Sequence, residues 1–530
     1  MTSDAARDAA PIRPAPPHRP EAPRPGPDAR RGMTALMCGC VVLVVAMVAA
    51  INLSLPALSA GALAPSSTEL LWIVDSYVLV FGCLLIPAGA LGDRYGRKGV
   101  LLAGLGVFAA GCLLSAAATG VPVLLAGRLV GGAGAALIMP ASLSLLVQAT
   151  PPAGRARAVA AWTAATGVAG AVGNIAGGAV LQWLPWQALF LAGAPVALVL
   201  ALLAARFAPR GERHPAALDA PGVVLLTVAL FALLFAVIEG PVRGWTSAPV
   251  LGGFACAAVL VPAFAAHALR TGDPVLDPRL FAIAPVRGGV LGIGLAFFGL
   301  FALFFVNAQY LQYAKGYSPL LTGVAIAPLV VGMVVMSRRS VGLTERFGTR
   351  PMAASGLFAI AGALVLLSFA DASTPYVLYA LVLVLMSLGM GACVPPLSIL
   401  VMASLPPARA GLGSGLNGAA REIGSALGVA VLGTVLTGRL ADGLPGSGGG
   451  GARSVGEALG AVDAAGGGAA AHARVIEAFT GGLSAGYRVV AVVVCVLAVL
   501  AVRGLPGRRR GGDGRRPGHS TTRAERVRHE

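Results

Sequence analysis

Fourteen apolar stretches, most of them about 20 residues long, follow one another from Thr34 to about Val502, and each is long enough to cross ~30 Å of hydrocarbon as a helix. That succession makes the fold class an all-α membrane protein. Only 12% of the residues are charged and mean hydropathy is +0.82. Almost no stretch between the spans could bury a soluble core, so catalysis by a separate domain is not expected and the chain is not expected to be an enzyme.

The spans fall at roughly 34–57, 70–90, 99–119, 122–147, 158–181, 187–206, 219–239, 249–269, 287–312, 319–341, 352–370, 375–403, 411–438 and 485–503. An even count puts both termini on one side. In the short connections one set carries sixteen Lys and Arg (Arg94, Arg97, Lys98, Arg155, Arg157, Arg206, Arg210, Arg213, Arg270, Arg279, Arg287, Arg338, Arg339, Arg346, Arg350 and Arg409) and the other two, Arg243 and Lys315. The positive-inside rule then makes the rich set and both termini cytoplasmic, in a multi-pass protein of the cell membrane. The +17 net charge needs no nucleic acid to explain it. What topology does not use sits in the tails, 1–33 and 504–530, whose Pro/Arg-rich and Arg-rich compositions read as disordered. The first helix is expected to stay uncleaved. A Gly/Ala-rich segment at 439–484, with the run Gly446 to Gly451, reads as a long flexible external loop.

All seven Cys fall within expected spans, so no disulfide framework is implied, and no His/Cys spacing suggests a metal. No cofactor is expected.

The most informative local string is Gly89, Leu91, Gly92, Asp93, Arg94, Tyr95, Gly96, Arg97, Lys98, in the tight turn between spans two and three. So short a turn needs glycine. Asp93 is expected to face the positive end of the following helix, with Arg94 and Arg97 reaching back to helix C-termini or head groups. An ordinary positive-inside loop would carry similar charges. A second copy, Glu345, Arg346, Phe347, Gly348, Thr349, Arg350, stands some 252 residues later. Such spacing fits two related six-helix halves, 34–206 and 286–503, with an inserted helix pair and linkers at 207–285.

The chain here resembles the major facilitator superfamily, specifically its fourteen-span drug:proton antiporter branch. Besides residues 89–98 the match includes Trp72-Ile73-Val74-Asp75-Ser76-Tyr77, Arg128 with Gly132, Gly134, Ala135, Ala136, Met139 and Pro140, and the glycines of span five. Pro274 to Phe281, Gly316-Tyr317-Ser318-Pro319 and Gly411 to Gly433 are also similar to that branch. The resemblance implies proton-coupled efflux of lipophilic neutral or cationic compounds across the cytoplasmic membrane by alternating access. A dedicated exporter of one secondary metabolite, an uptake permease and, distantly, a membrane sensor remain open. The expected partners are a small lipophilic substrate, protons and the lipid bilayer, with the chain acting as a monomer. The turn residues Gly89, Gly92, Asp93, Arg94, Gly96 and Arg97 are expected to gate the conformational change, together with Gly173 and Gly177 of span five. Small residues there let a neighbouring helix approach and slide, although Asn174 stands where the branch has a kinking Pro.

With only two Lys, Lys98 and Lys315, the chain has no phosphate-binding Gly-Lys loop. An ion gradient must drive uphill transport, carried by ionisable groups inside the membrane. Asp75 and Arg128 lie at similar depth in spans two and four and are expected to form one pair, whose separation would load or release a proton. Arg421 and Glu422 sit near the middle of span thirteen and, as adjacent residues, point about 100° apart. The coupling set is therefore Asp75, Arg128 and Glu422. Candidate cavity residues are Trp72, Asp75, Asn307, Gln309, Tyr310 and Arg421, and Trp162 is a further stacking surface. Two acids of the branch are missing: Met47 stands where an Asp is usual in span one, and Met333 where some relatives carry an acid in span ten. Dications should then be held poorly.

Overall fold

The computed structural model describes residues 27–505 apart from 61–62, 64, 66, 210–218, 407–408, 444–454 and 465. Residues 1–26 and 506–530 of the two tails lie outside the described residues, as do Arg210, Arg213 and Gly446 to Gly451. Sixteen α-helices and no strand occur among the described residues. They are α1 (Pro27–Ala60), α2 (Ser67–Tyr95), α3 (Arg97–Ala116), α4 (Val121–Ala149), α5 (Pro152–Trp183), α6 (Gln187–Phe207), α7 (Ala220–Arg243), α8 (Ala248–Arg270), α9 (Ala284–Gln309), α10 (Pro319–Ala325), α11 (Ala327–Phe347), α12 (Thr349–Leu367), α13 (Tyr376–Ala403), α14 (Ala410–Gly443), α15 (Val455–Ala464) and α16 (Ala469–Arg503). Fourteen membrane-crossing lengths of apolar helix result. Span ten is interrupted at Ile326, because Pro328 cannot continue the ladder of α10. Asp219 caps α7 by accepting the Gly222 N–H, and Gly96 and Gly348 take the positive φ of two reversals, at 100° and 93°.

Helix pairings repeat between the halves. Just as α3 packs on α4, α1 on α5, α2 on α4 and α3 on α6, so α12 packs on α13, α9 on α14, α11 on α13 and α12 on α16. Glycines set the closest approaches: a Cβ on Gly111 or Gly134 would strike the facing backbone across α3 and α4, and the same holds for Gly356 and Gly389 across α12 and α13. Each half has its own apolar core. A third core, with Leu79, Cys83 and Ile86 of α2, Leu226, Leu230 and Leu234 of α7, Phe264 of α8 and Leu412 and Leu416 of α14, joins the inserted pair to both halves. Thus α7 lies over the seam where α2 meets α14.

Two expectations about chain ends and loops change. First, α1 already begins at Pro27, inside the stretch read as tail. Second, the long loop is mostly helix: α14 runs to Gly443, α15 covers Val455–Ala464 and α16 starts at Ala469. His472, Arg474 and Glu477 lower the hydropathy at the start of α16, but Val475, Phe479 and Leu483, spaced four apart, form a buried stripe that a helix can pack. Val455 and Ala458 add to the same core.

Candidate functional site

The short turn between α2 and α3 lies at the end of the bundle where the arginine-rich connections gather, here called the basic end. Asp93, in the last turn of α2, faces α14 and not the following helix as expected. Its Oδ1 accepts the Gly411 N–H and its Oδ2 the Leu412 N–H, each at 2.9 Å. Those are orphan donors of the first turn of α14, where the helix dipole favours an anion. Arg97 donates to the same carboxylate through Nε at 3.1 Å and Nη2 at 3.0 Å. The approach needs glycine on both sides, since a Cβ on Gly89 would strike the Gly411 carbonyl and one on Gly411 the Gly89 carbonyl and Asp93. Gly92 sits one turn further along α2 and Gly96 makes the reversal.

Arg94 reaches a residue the sequence did not single out. Its Nη2 donates to the Asp273 carbonyl at 3.0 Å and carboxylate at 3.1 Å, and Arg409, before α14, reaches the other Asp273 oxygen at 2.9 Å. One acid between α8 and α9 thus ties the two halves together beside Asp93. Asp273 immediately precedes the Pro274 motif, which was the available signal. The repeated string behaves otherwise: Gly348 copies the positive φ of Gly96, but Glu345 is exposed.

Inside the membrane the expected Asp75–Arg128 pair is absent among the described residues. Arg128 is 2% exposed; its Nε donates to the Ile73 carbonyl at 2.8 Å and its guanidinium lies 4.4 Å from the Tyr77 ring centroid. Equal depth did not bring the two together, because the α2 carbonyl and aromatic face take up the guanidinium. Asp75 is half-buried and makes no ion pair among the described residues, and Glu239 of α7 and Arg128 both lie close enough to act on it electrostatically. Glu239, missed in the sequence because Arg243 one turn away marked a helix end, is buried and paired with that Arg243.

Arg421 and Glu422 diverge as adjacent helical residues should. The Arg421 guanidinium lies 4.7 Å from the Phe297 ring and 5.5 Å from that of Trp162, while Trp162 donates to Ser142 Oγ at 3.2 Å. The Glu422 side chain turns to α2, beside Gly82 and Leu234. No ion pair joins the two.

Three residues read as cavity groups have side-chain partners within the bundle. Asn307 accepts from Tyr379 Oη at 2.6 Å, and Tyr310 stacks on Tyr379 at 5.1 Å and donates to the Asp371 carbonyl at 2.7 Å. Both are buried in the C-terminal core, where a polar group is tolerated because its partner is present. Trp72 stacks on Phe235 of α7 at 5.9 Å. Gln309 is half-buried and bonds its own helix at Phe305. In α5, which runs unbroken from Pro152 to Trp183, Gly173 lies against the backbone of Ala46 in α1 and Gly167 against Met333 of α11. Gly177 is buried. Close packing is therefore present at Gly167 and Gly173, whereas a Cβ on Gly170 would meet open space.

This architecture is that of a membrane transporter built from two pseudo-symmetric halves. The Major Facilitator Superfamily model matches residues 37–429, and the chain belongs to that superfamily. The methylenomycin A resistance protein of Streptomyces coelicolor is 35% identical over 371 residues, which cover 70% of this chain and 78% of that protein. The multidrug efflux pump LfrA of Mycolicibacterium smegmatis is 34% identical, over 70% of this chain and 74% of its own length. Among solved structures the human organic anion transporter MFSD10 (TETRAN) shares the fold, with TM-score 0.61 at 18% identity over 91% of this chain and all of that one.

Proposed function

We propose that the protein exports lipophilic, antibiotic-like compounds across the cytoplasmic membrane by alternating access, in exchange for protons, as a monomer with its basic end and both termini in the cytoplasm. The observation that carries the mechanism is the closure of the basic end: Asp93 holds the first turn of α14 in the other half. A contact that joins the halves at one end only when that end is shut is what a two-state transporter needs. The names of the relatives support the substrate class, and the asymmetry of sixteen basic loop residues against two supports the orientation. Asp75 is the coupling acid best placed, since it is half-buried in α2, makes no ion pair among the described residues and can exchange a proton when exposed. Arg128, Glu422 and Arg421 complete the charged lining.

Inverted vesicles energised by a pH gradient should accumulate a lipophilic dye and lose it on addition of a protonophore; vesicles that release dye instead would reverse the direction. A Thr246→Cys variant should be labelled from outside intact cells and Arg155→Cys only after permeabilisation. A dedicated exporter of one compound is the second reading, favoured by the relative named for resistance to a single antibiotic. A dye panel with only one substrate would establish it.

A further inference from the structure

We propose, resting on the alternating-access reading above, that the inserted pair α7–α8 travels as one body with the C-terminal half and slides over α2 when the transporter changes state. The moving joint is then the α2–α7 face and not the α7–α14 face. At the basic end the pair is built into the connection that leads to α9. The Asp219 carboxylate accepts from the Gly222 N–H of α7 at 2.9 Å, from His267 Nε2 of α8 at 2.7 Å and from the Val275 N–H of the connection at 3.2 Å. From there a short 3-10 helix, Pro278–Ala282, is capped by Asp277 and separated from α9 by Ile283 alone, and Arg287 of α9 donates back to the Phe281 carbonyl at 3.3 Å. At the opposite end Trp245, in the turn between α7 and α8, donates through Nε1 to Thr434 Oγ1 of α14 at 2.9 Å.

The N-terminal half holds the pair differently. The α2 residues that share a core with α7 are apolar, Leu79, Cys83 and Ile86 beside Leu226, Leu230 and Leu234, and nearer the other end of α2 Trp72 stacks on Phe235 at 5.9 Å. Burial has no preferred direction, so two such faces can shift past one another and stay covered. A hydrogen bond weakens steeply once its length and angle are disturbed. The polar link from α2 is Arg94 to Asp273, whose side chain is 45% exposed, so water can take the place of the partner at little cost. It lies at the basic end, whose opening draws Arg94 away with α2, while Arg409, on the same carboxylate at 2.9 Å, stays with α14. Directional bonds therefore tie the pair to the C-terminal half at both ends, and the N-terminal half offers it a face on which to slide.

The test bridges α7 to each neighbour in turn, in the full-length protein with the exposed Cys256 and Cys495 changed to Ser, and measures pH-driven dye efflux before bridging, after it and after reduction. A Cβ on Gly433 would lie 3.9 Å from that of Pro241, inside the ~3.5–4.5 Å that a disulfide spans, so Pro241→Cys/Gly433→Cys can be oxidised directly. Trp72→Cys/Phe235→Cys is joined with a short, reducible bis-methanethiosulfonate. The α7–α14 disulfide should leave at least about half of the efflux, whereas the α7–α2 bridge should cut it at least about tenfold and reduction should restore it. If the second pair does not reach the membrane, Asp273→Cys bridged to Arg94→Cys should block efflux and bridged to Arg409→Cys should not. Loss of efflux with α7 tied to α14, or full efflux with α7 tied to α2, would overturn the inference and leave the transport reading standing. A starting protein with no pH-driven efflux would sink that reading and the inference with it.

Discussion

Asp93 and Gly411 stand 318 residues apart in sequence, and the carboxylate of one accepts the backbone N–H of the other at 2.9 Å. With the Leu412 N–H and the Arg97 fork on the same group, this is a charge-assisted cluster across the seam of the two halves. An anion at a helix N-terminus in partly buried geometry is worth up to about 2 kcal/mol. That is enough to move a balanced two-state equilibrium more than tenfold and small enough to be reversed in each cycle.

Asp93→Asn should therefore cut transport about tenfold while membrane levels stay normal, since the amide can still accept one N–H but loses the charge that both the helix terminus and Arg97 use. Dye efflux normalised to quantified protein measures it. Full activity would reduce the turn to a topology signal.

Gly411→Ala tests the same closure by shape. The added methyl runs into the Gly89 carbonyl and the Asp93 carboxylate, and a backbone atom cannot step aside as a side chain can. A reporter cysteine at Ala90, buried at this seam, should react with a membrane-permeant maleimide roughly tenfold faster in the Gly411→Ala background. Equal rates would show that the seam absorbs the methyl without opening.

The spans were legible because twenty apolar residues have few alternatives in a bilayer, and the turn was legible because its glycines and charges repeat near Gly348. Orientation around each helix axis was less so. Depth placed Asp75 level with Arg128 but could not show that Ile73 and Tyr77 would receive the guanidinium. Polarity made Asn307 and Tyr310 resemble cavity groups, whereas Tyr379, 72 residues from Asn307, satisfies one and stacks on the other. Arg409 counted only as a topology charge, because its partner Asp273 lies 136 residues away.

Asp273 should matter less than Asp93. Its side chain is 45% exposed, and ion pairs so open to solvent contribute about 0–1 kcal/mol. Asp273→Asn should lower efflux less than about threefold, with the difference fading in high salt. Arg94→Gln and Arg409→Gln should be non-additive with it, because all three act on one carboxyl. Additive losses would mean that the arginines act separately.

Asp219 anchors the inserted pair at the same end and provides a pH test. Burial works against its ionised form, but the hydrogen bonds from His267 Nε2 at 2.7 Å, Gly222 N–H at 2.9 Å and Val275 N–H at 3.2 Å outweigh it and hold its pKa below the ordinary carboxylate value. A pKa lower in the folded than in the unfolded chain gives stability that is complete above the unfolded value, ~3.9, and is lost as pH falls through the folded one. The Tm of wild type should fall more steeply below about pH 4 than that of Asp219→Asn, whose amide does not titrate there. Parallel curves would assign the acid sensitivity to other groups.

The coupling prediction turns on what remains when the expected pair is removed. Arg128 is engaged by Ile73 and Tyr77, Met47 carries no charge, and Glu239 is held by Arg243. Asp75 is then the half-buried acid in the outer part of α2 that makes no ion pair among the described residues, with Glu422 of α14 turned to the same helix. An acid can couple only if it changes protonation between the two states of the cycle, and Asp75→Asn removes that change while hardly altering shape. The variant should lose pH-driven efflux by at least about a hundredfold, the scale expected when the one coupling group cannot load a proton, yet keep energy-independent exchange of a neutral substrate. Accumulation against a gradient by the Asn variant would place the coupling proton elsewhere, and Glu422→Gln would be the next substitution to test.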